Sequence, residues 1–190
     1  RQIDSKRDRL YLAGQQCREL EAHLVQCFDP LWCKVRTHLQ KFWPSSIGFC
    51  DNLPLGYRTL SPSDFGFHNA IRETSGRIKF LDFEYFGWDD PVKLVSDFWW
   101  HPGMKLDSKM RNSWVKEAVR IFPRDGSFRS RLNATHPAFG LRWSLIVLNY
   151  FLSKHGVSKI DEQRWRTQLS KSKELCGMVT DWLNDERSIL

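Results

Sequence analysis

The sequence has no apolar run near the roughly 18 residues that a membrane-spanning helix needs, so no membrane span is expected. It also has no C-x-x-C pair. Its five cysteines, Cys17, Cys27, Cys33, Cys50 and Cys176, are odd in number and scattered, which argues against a zinc or redox motif and against a disulfide scaffold. Reduced thiols in a cytoplasmic protein are the expectation. A basic block is missing too: the net charge of +7 and pI near 9.3 come from Lys and Arg spread along 190 residues. No groove-reading helix, zinc finger or RNA-binding sheet accompanies that charge, so nucleic acid is not the expected partner, and a phosphate-bearing small molecule fits the charge as well. Repeats and low-complexity segments are absent. The opening RQIDSKRDR does not read as a signal peptide, and a start on Arg1 suggests a piece of a longer chain.

What is present is a globular composition, 41% hydrophobic and 14% aromatic, long enough for a sizeable core. Leu10, Ala13, Cys17, Leu20, Leu24 and Phe28 recur at three and four, predicting an amphipathic helix over about residues 5–28. Asp29-Pro30 is expected to interrupt it, and a shorter helix over 31–42 should stop before Pro44. The Pro-, Gly- and Ser-rich stretch to Asn69 reads as a long loop, of the kind usually functional or disordered. AIRETSGRIKFLDFE then reads as a hairpin turning near Gly76. Beyond Pro91 the pattern is helical: Met110, Trp114, Ala118 and Phe122 mark one helix, 143–152 a buried one, and Trp165 to Leu183 a last one whose stripe has a polar gap at Ser172. The expected architecture is α+β and mainly α-helical. It divides into a helical segment and loop (1–57), a loop, hairpin and helix (58–102), and a helical subdomain (103–190).

The chemistry concentrates in LSPSDFGFHNAIRETSGRIKFLDFEYFGWDDP, residues 60–91. Strand alternation over 78–84 would put Ile78, Phe80, Asp82 and Glu84 on one side. Thirteen steps from Asn69 to Asp82 suffice for a strand out, a turn and a strand back, so Asp64, Asn69 and Asp82 could converge. A carboxylate and an amide oxygen suit Mg²⁺ in phosphoryl-transfer sites, and a further carboxylate can take a proton from an attacking hydroxyl. Asp-x-x-x-x-Asn followed by Asp at a strand end is the order of the kinase catalytic loop and metal site.

With SPSDFGFHNAI, FLDFEYFG and Asp90-Pro91, the chain resembles the aminoglycoside phosphotransferase and choline kinase family, over about residues 58–102. The resemblance implies the carboxy-terminal lobe of a protein-kinase-like fold with a small catalytic hairpin. It implies Asp64 as catalytic base, Asn69 and Asp82 as holders of the ATP-bound Mg²⁺, and Glu84 as a further metal-side residue. The implied partners are a nucleotide and a small hydroxyl-bearing acceptor such as an aminoglycoside, choline, ethanolamine or a sugar. Pro62 stands where the family has histidine, and Lys93 stands about where it has an aspartate, with Asp97 one turn later. The glycine-rich loop and strand lysine that grip ATP are not in this sequence, so a missing amino-terminal lobe is expected.

Blander readings stand beside these. A kinase-descended binding module without chemistry is the rival, and a basic helical nucleic-acid binder is a third. His68 is expected to serve the loop structurally. His101 and His136 show no metal-ligand spacing. Tyr85, Phe86, Trp88, Trp99 and Trp100 are expected in the core rather than as a cation-π box, and Asp89 and Asp90 as helix caps rather than substrate ligands.

Overall fold

The computed structural model describes residues 2–49, 51–122, 124–152 and 162–185. Cys50 lies outside them, whereas Cys17, Cys27, Cys33 and Cys176 are free thiols. The described chain is mainly helical with two small antiparallel sheets, hence α+β. Among the described residues no helix is long and apolar enough to cross a membrane. The chain divides into two compact units, one of Arg1–Gln40 with Pro137–Glu186, the other built on Lys41–His136.

The first unit is helical. Helix α1 (Gln2–Gly14) is followed by α2 (Arg18–His23), a π turn (Leu24–Phe28) and the start of α3 (Asp29–Phe42). The break therefore falls at Gln15–Cys17, not at Asp29-Pro30 as the sequence suggests. Pro30 is tolerated because the wide turn before it, with the Asp29 N–H donating to Leu24 O, takes up the step at the first turn of α3, where a proline needs no amide partner. The expected apolar stripe survives the break: Leu10, Cys17, Leu20, Leu24 and Phe28 are all buried. Each such aliphatic or aromatic burial contributes roughly 1.5–3 kcal/mol. They share this unit with Leu141, Leu145, Leu148 and Phe151, from the end of α6 (Phe128–Ile146) and the 3₁₀ segment Val147–Leu152, and with Leu169, Cys176 and Val179 of α7 (Glu162–Asn184). The buried stretch expected over 143–152 is thus the tail of a longer helix followed by a tighter turn. Ser172, the polar gap in the last stripe, is fully buried and bonded to His23 Nε2 at 2.8 Å, which gives each of those two atoms a partner, while His23 Nδ1 is buried without a hydrogen bond among the described residues.

The second unit carries both sheets. In the stretch read as a long loop, Thr59–Ser61 forms β1 and pairs antiparallel with β4 (Gly87–Asp89). Between them in sequence lies the expected hairpin, β2 (Ala70–Arg72) against β3 (Ile78–Phe80), with Ala70 opposite Phe80. Its loop closes through the Glu73 N–H to Arg77 O at 2.8 Å, and Gly76 takes φ +83°, a conformation that glycine adopts without strain. Helices α4 (Pro91–Trp100) and α5 (Ser108–Ile121) follow, each capped by an aspartate: Asp90 accepts the Val92 N–H, and Asp107 the Met110 N–H. Phe65, Phe80, Phe98 and Trp114 pack their rings together beside Met104 and Leu106.

Candidate functional site

Residues 64–69 are positioned by ring contacts from within DFGFHN. Phe65 stacks on Phe80, Phe98 and Trp114, with centroids 4.6, 5.7 and 6.1 Å away, and Phe67 meets Phe98 edge-on at 5.6 Å. Asp64 and His68 remain exposed. Between the phenylalanines, Gly66 is buried so tightly that a Cβ there would lie 2.6 Å from the His68 ring and 2.9 Å from Met104 Sδ. Phe65, the edge contact of the otherwise exposed Phe67 and the close approach at Gly66 thus hold the loop, and Asp64 and His68 face solvent.

Within the loop, Asn69 Nδ2 donates to the Asp64 carbonyl at 3.0 Å and approaches its carboxylate Oδ2 at 3.4 Å. The hairpin does the rest. The Leu81 N–H donates to Asn69 O at 2.8 Å, so Asp82 follows directly after the residue paired with Asn69. Of the three residues expected to converge, Asn69 is bonded to Asp64, and Asp82 is placed next to Asn69's backbone partner Leu81. The expected strand alternation does not extend to the acids, because β3 ends at Phe80 and Asp82 adopts φ +61°. Glu84 lies in the turn closed by the Phe86 N–H to Phe83 O, so its side is not dictated by a pleat shared with Asp82. A non-glycine residue in the left-handed region costs about 1 kcal/mol or more, and such residues concentrate at functional sites. Ser63, just before Asp64, is a second one at φ +62°.

Ser63 is held from three directions. Its N–H donates to Ser61 Oγ, its hydroxyl donates to Tyr85 O at 3.1 Å, and Lys93 Nζ donates to that hydroxyl at 3.3 Å. Lys93 also pairs with Asp89 at 3.1 Å and lies 3.9 Å from Asp97, so it ties α4 to the loop. The helix start is fastened by Arg131, whose guanidinium, 1% exposed, forks onto Asp90 at 3.0 Å and Asp125 at 2.7 Å. Burial pulls the Arg131 pKa down, but the bonds to Asp125 and Asp90 outweigh it and drive it up, and the Asp125 carboxyl is held below its usual range by its bonds to Arg131 and Ser127 against the opposing effect of burial.

At the other end of α4, His101 stacks face to face on His68, with centroids 4.4 Å apart at 10°, and His68 Nε2 lies 3.2 Å from Asp64 Oδ1. Burial, then the neighbouring His68, lowers the His101 pKa. Among the described residues, Asp64, His68 and His101 form a group of His, Cys, Asp or Glu donors close enough for one metal ion, and Asp82 and Glu84 join no such group of three. His101 lies 33 positions from His68, so spacing along the chain could not reveal it. Arg131 gave no sequence signal either, whereas the Asp90 cap was legible from the Asp-Pro that opens α4.

The aromatic residues do not form one box. Tyr85, Phe86 and Trp88 are exposed, not in the core, while Trp100 is buried against His136, and Arg111 covers the Trp99 ring at 4.3 Å.

The donor set of Asn69 and Asp82 suits a hard cation. With Asn69 Nδ2 committed to Asp64, the amide oxygen is the atom left to turn outward, and the Asp82 carboxylate is exposed. Comparison with protein-family models, curated proteins and solved structures gives no match.

Proposed function

We propose that this chain is the carboxy-terminal lobe of an ATP- and Mg²⁺-dependent phosphotransferase acting on a hydroxyl of a small molecule. The observation that carries the reading is the hairpin closure that brings Asp82 beside Asn69 while Asn69 is tied to Asp64. Asp64 orients the acceptor hydroxyl and takes its proton as the oxygen attacks the terminal phosphorus and ADP departs. Asn69 and Asp82 hold the cation, and Glu84, two residues on, is a further metal-side residue. A bound magnesium ion would neutralise the charge of the nucleotide phosphates. Lys93 keeps Ser63, and with it the backbone entering Asp64, in place. Exposed apolar side chains flank the loop and hairpin, among them Phe67, Ile71, Ile78, Leu81 and Phe83, and these offer a seat for the nucleotide-gripping lobe that this reading requires.

The test is transfer of labelled phosphate from Mg²⁺-ATP to a panel of aminoglycosides, amino alcohols and sugars, by the longest natural form of the chain and by its Asp64→Asn variant. Transfer that falls at least a hundredfold in the variant supports the reading. Turnover unaffected by Asp64→Asn overturns the base assignment, and no transfer to any acceptor favours the rival, a kinase-descended binding module.

A further inference from the structure

The loop and α4 bring two imidazoles and one carboxylate to a single point, and this grouping plays no part in the phosphotransferase reading beyond Asp64. The ligand-capable atoms of Asp64, His68 and His101 all lie within 4.8 Å of one another. A tetrahedral zinc ion bound at about 2.0–2.2 Å spaces its donors roughly 3.4 Å apart. One edge of that figure already exists, since His68 Nε2 is 3.2 Å from Asp64 Oδ1. The remaining closure is about 1.4 Å at most, within reach of side-chain rotation because Asp64 and His68 are solvent-exposed. The Gly66 backbone lies against the His68 ring, and the His101 ring is stacked on that ring at 4.4 Å, so one of the two rings turns to bring both in-plane lone pairs onto one ion. His101 Nδ1 accepts the Gly103 N–H at 3.0 Å, but that contact is exposed, so water can take over the amide when the lone pair turns to a metal.

We propose that Asp64, His68 and His101 form a binding site for a zinc ion, with three protein ligands and an open fourth position for water or another ligand. Two nitrogen donors and one oxygen donor select a borderline cation such as zinc over Mg²⁺, which prefers oxygen throughout. The site is distinct from the Asn69 and Asp82 oxygens and does not depend on the phosphotransferase reading. Where both hold, zinc takes the Asp64 carboxylate away from the acceptor hydroxyl, so the two occupancies exclude each other's chemistry.

The test is calorimetric titration of Zn²⁺ alone into the full chain, repeated with Co²⁺ and absorption spectroscopy. The expected result is one equivalent bound, a Co²⁺ spectrum of a four- or five-coordinate site without a thiolate charge-transfer band, and at least a tenfold loss of affinity in both His68→Ala and His101→Ala. Circular dichroism establishes that the variants fold, and His68→Gln, at an exposed position, serves should His101→Ala not fold. Asp82→Asn should leave zinc binding in place, which separates failure of this site from failure of the nucleotide site. Absence of saturable binding, a thiolate band, or affinity unchanged by the histidine substitutions would overturn the proposal.

Discussion

Single residues carry the strain and the crowding of the candidate site. Asp82 sits at φ +61°, where glycine would be relaxed, so Asp82→Gly is expected to raise folding stability by up to about 1 kcal/mol while removing the proposed cation ligand. Chemical denaturation checks this, and a stability loss would mean that the carboxylate makes a compensating contact. Gly66 is the opposite case. Its φ of −179° is ordinary extended backbone, but a methyl group would strike the His68 ring and Met104 Sδ. Gly66→Ala should therefore cost about 1–3 kcal/mol and shift the His68 imidazole resonances. Unchanged resonances would show that the loop yields elsewhere.

At the scale of elements, α4 is the strut between the two ends of the site. Its first turn is capped by Asp90 and clamped by buried Arg131, and Lys93 and His101 reach from its beginning and end toward Ser63 and His68. Replacing Arg131 with Met leaves Asp125, itself buried, without its cationic partner, and should cost about 3–5 kcal/mol. Asp90→Ala, which loses the cap and one arm of the fork, should cost less, about 1–3 kcal/mol. Thermal unfolding of the two single variants and the double variant should give non-additive losses, and strict additivity would show that Asp90 and Arg131 act separately. This element also marks how far the sequence could be read. The Asp-Pro start of α4 and the Gly76 hairpin were legible because caps and turns are set by neighbouring residues. The Arg131 fork and the meeting of His68 with His101 were not, because they depend on which distant elements pack together.

For the whole molecule, two buried histidines set the response to acid. Burial, aided by Lys173, pushes the His23 pKa down to about 4, and burial, aided by Arg111, pushes that of His136 to about 3. The unfolded chain titrates near 6.5, so between that value and the folded pKa values it binds more protons than the folded protein. Stability should thus be full above about pH 6.5 and fall on acidification, by up to about 1.4 kcal/mol per pH unit for each histidine. Denaturation midpoints from pH 7.5 to 4.5 check the slope, and a midpoint constant over that range would contradict it. Of the overall organisation, the apolar stripes and helices α5 and α7 could be read from their periodicity, whereas the start of α6 at Phe128 could not. The break at Gln15–Cys17 could not, since the same stripe runs across it, nor could β1, whose three residues pair with a strand 28 positions away. Within the candidate site, Asp64, Asn69 and Asp82 were readable as an ordered set, while the left-handed turn that ends the strand before Asp82 was not encoded in any pattern of alternation.

The central claim is that Asn69 and Asp82 together hold a nucleotide-bound cation. Calorimetric titration of Mg²⁺-ATP into this chain and into the longest natural form, each with and without Asp82→Asn, tests it most directly. Binding that requires Mg²⁺ and is lost in the variant is the expected result, in the longer form if not in this chain alone. Binding by neither form, or binding indifferent to Asp82, would contradict it.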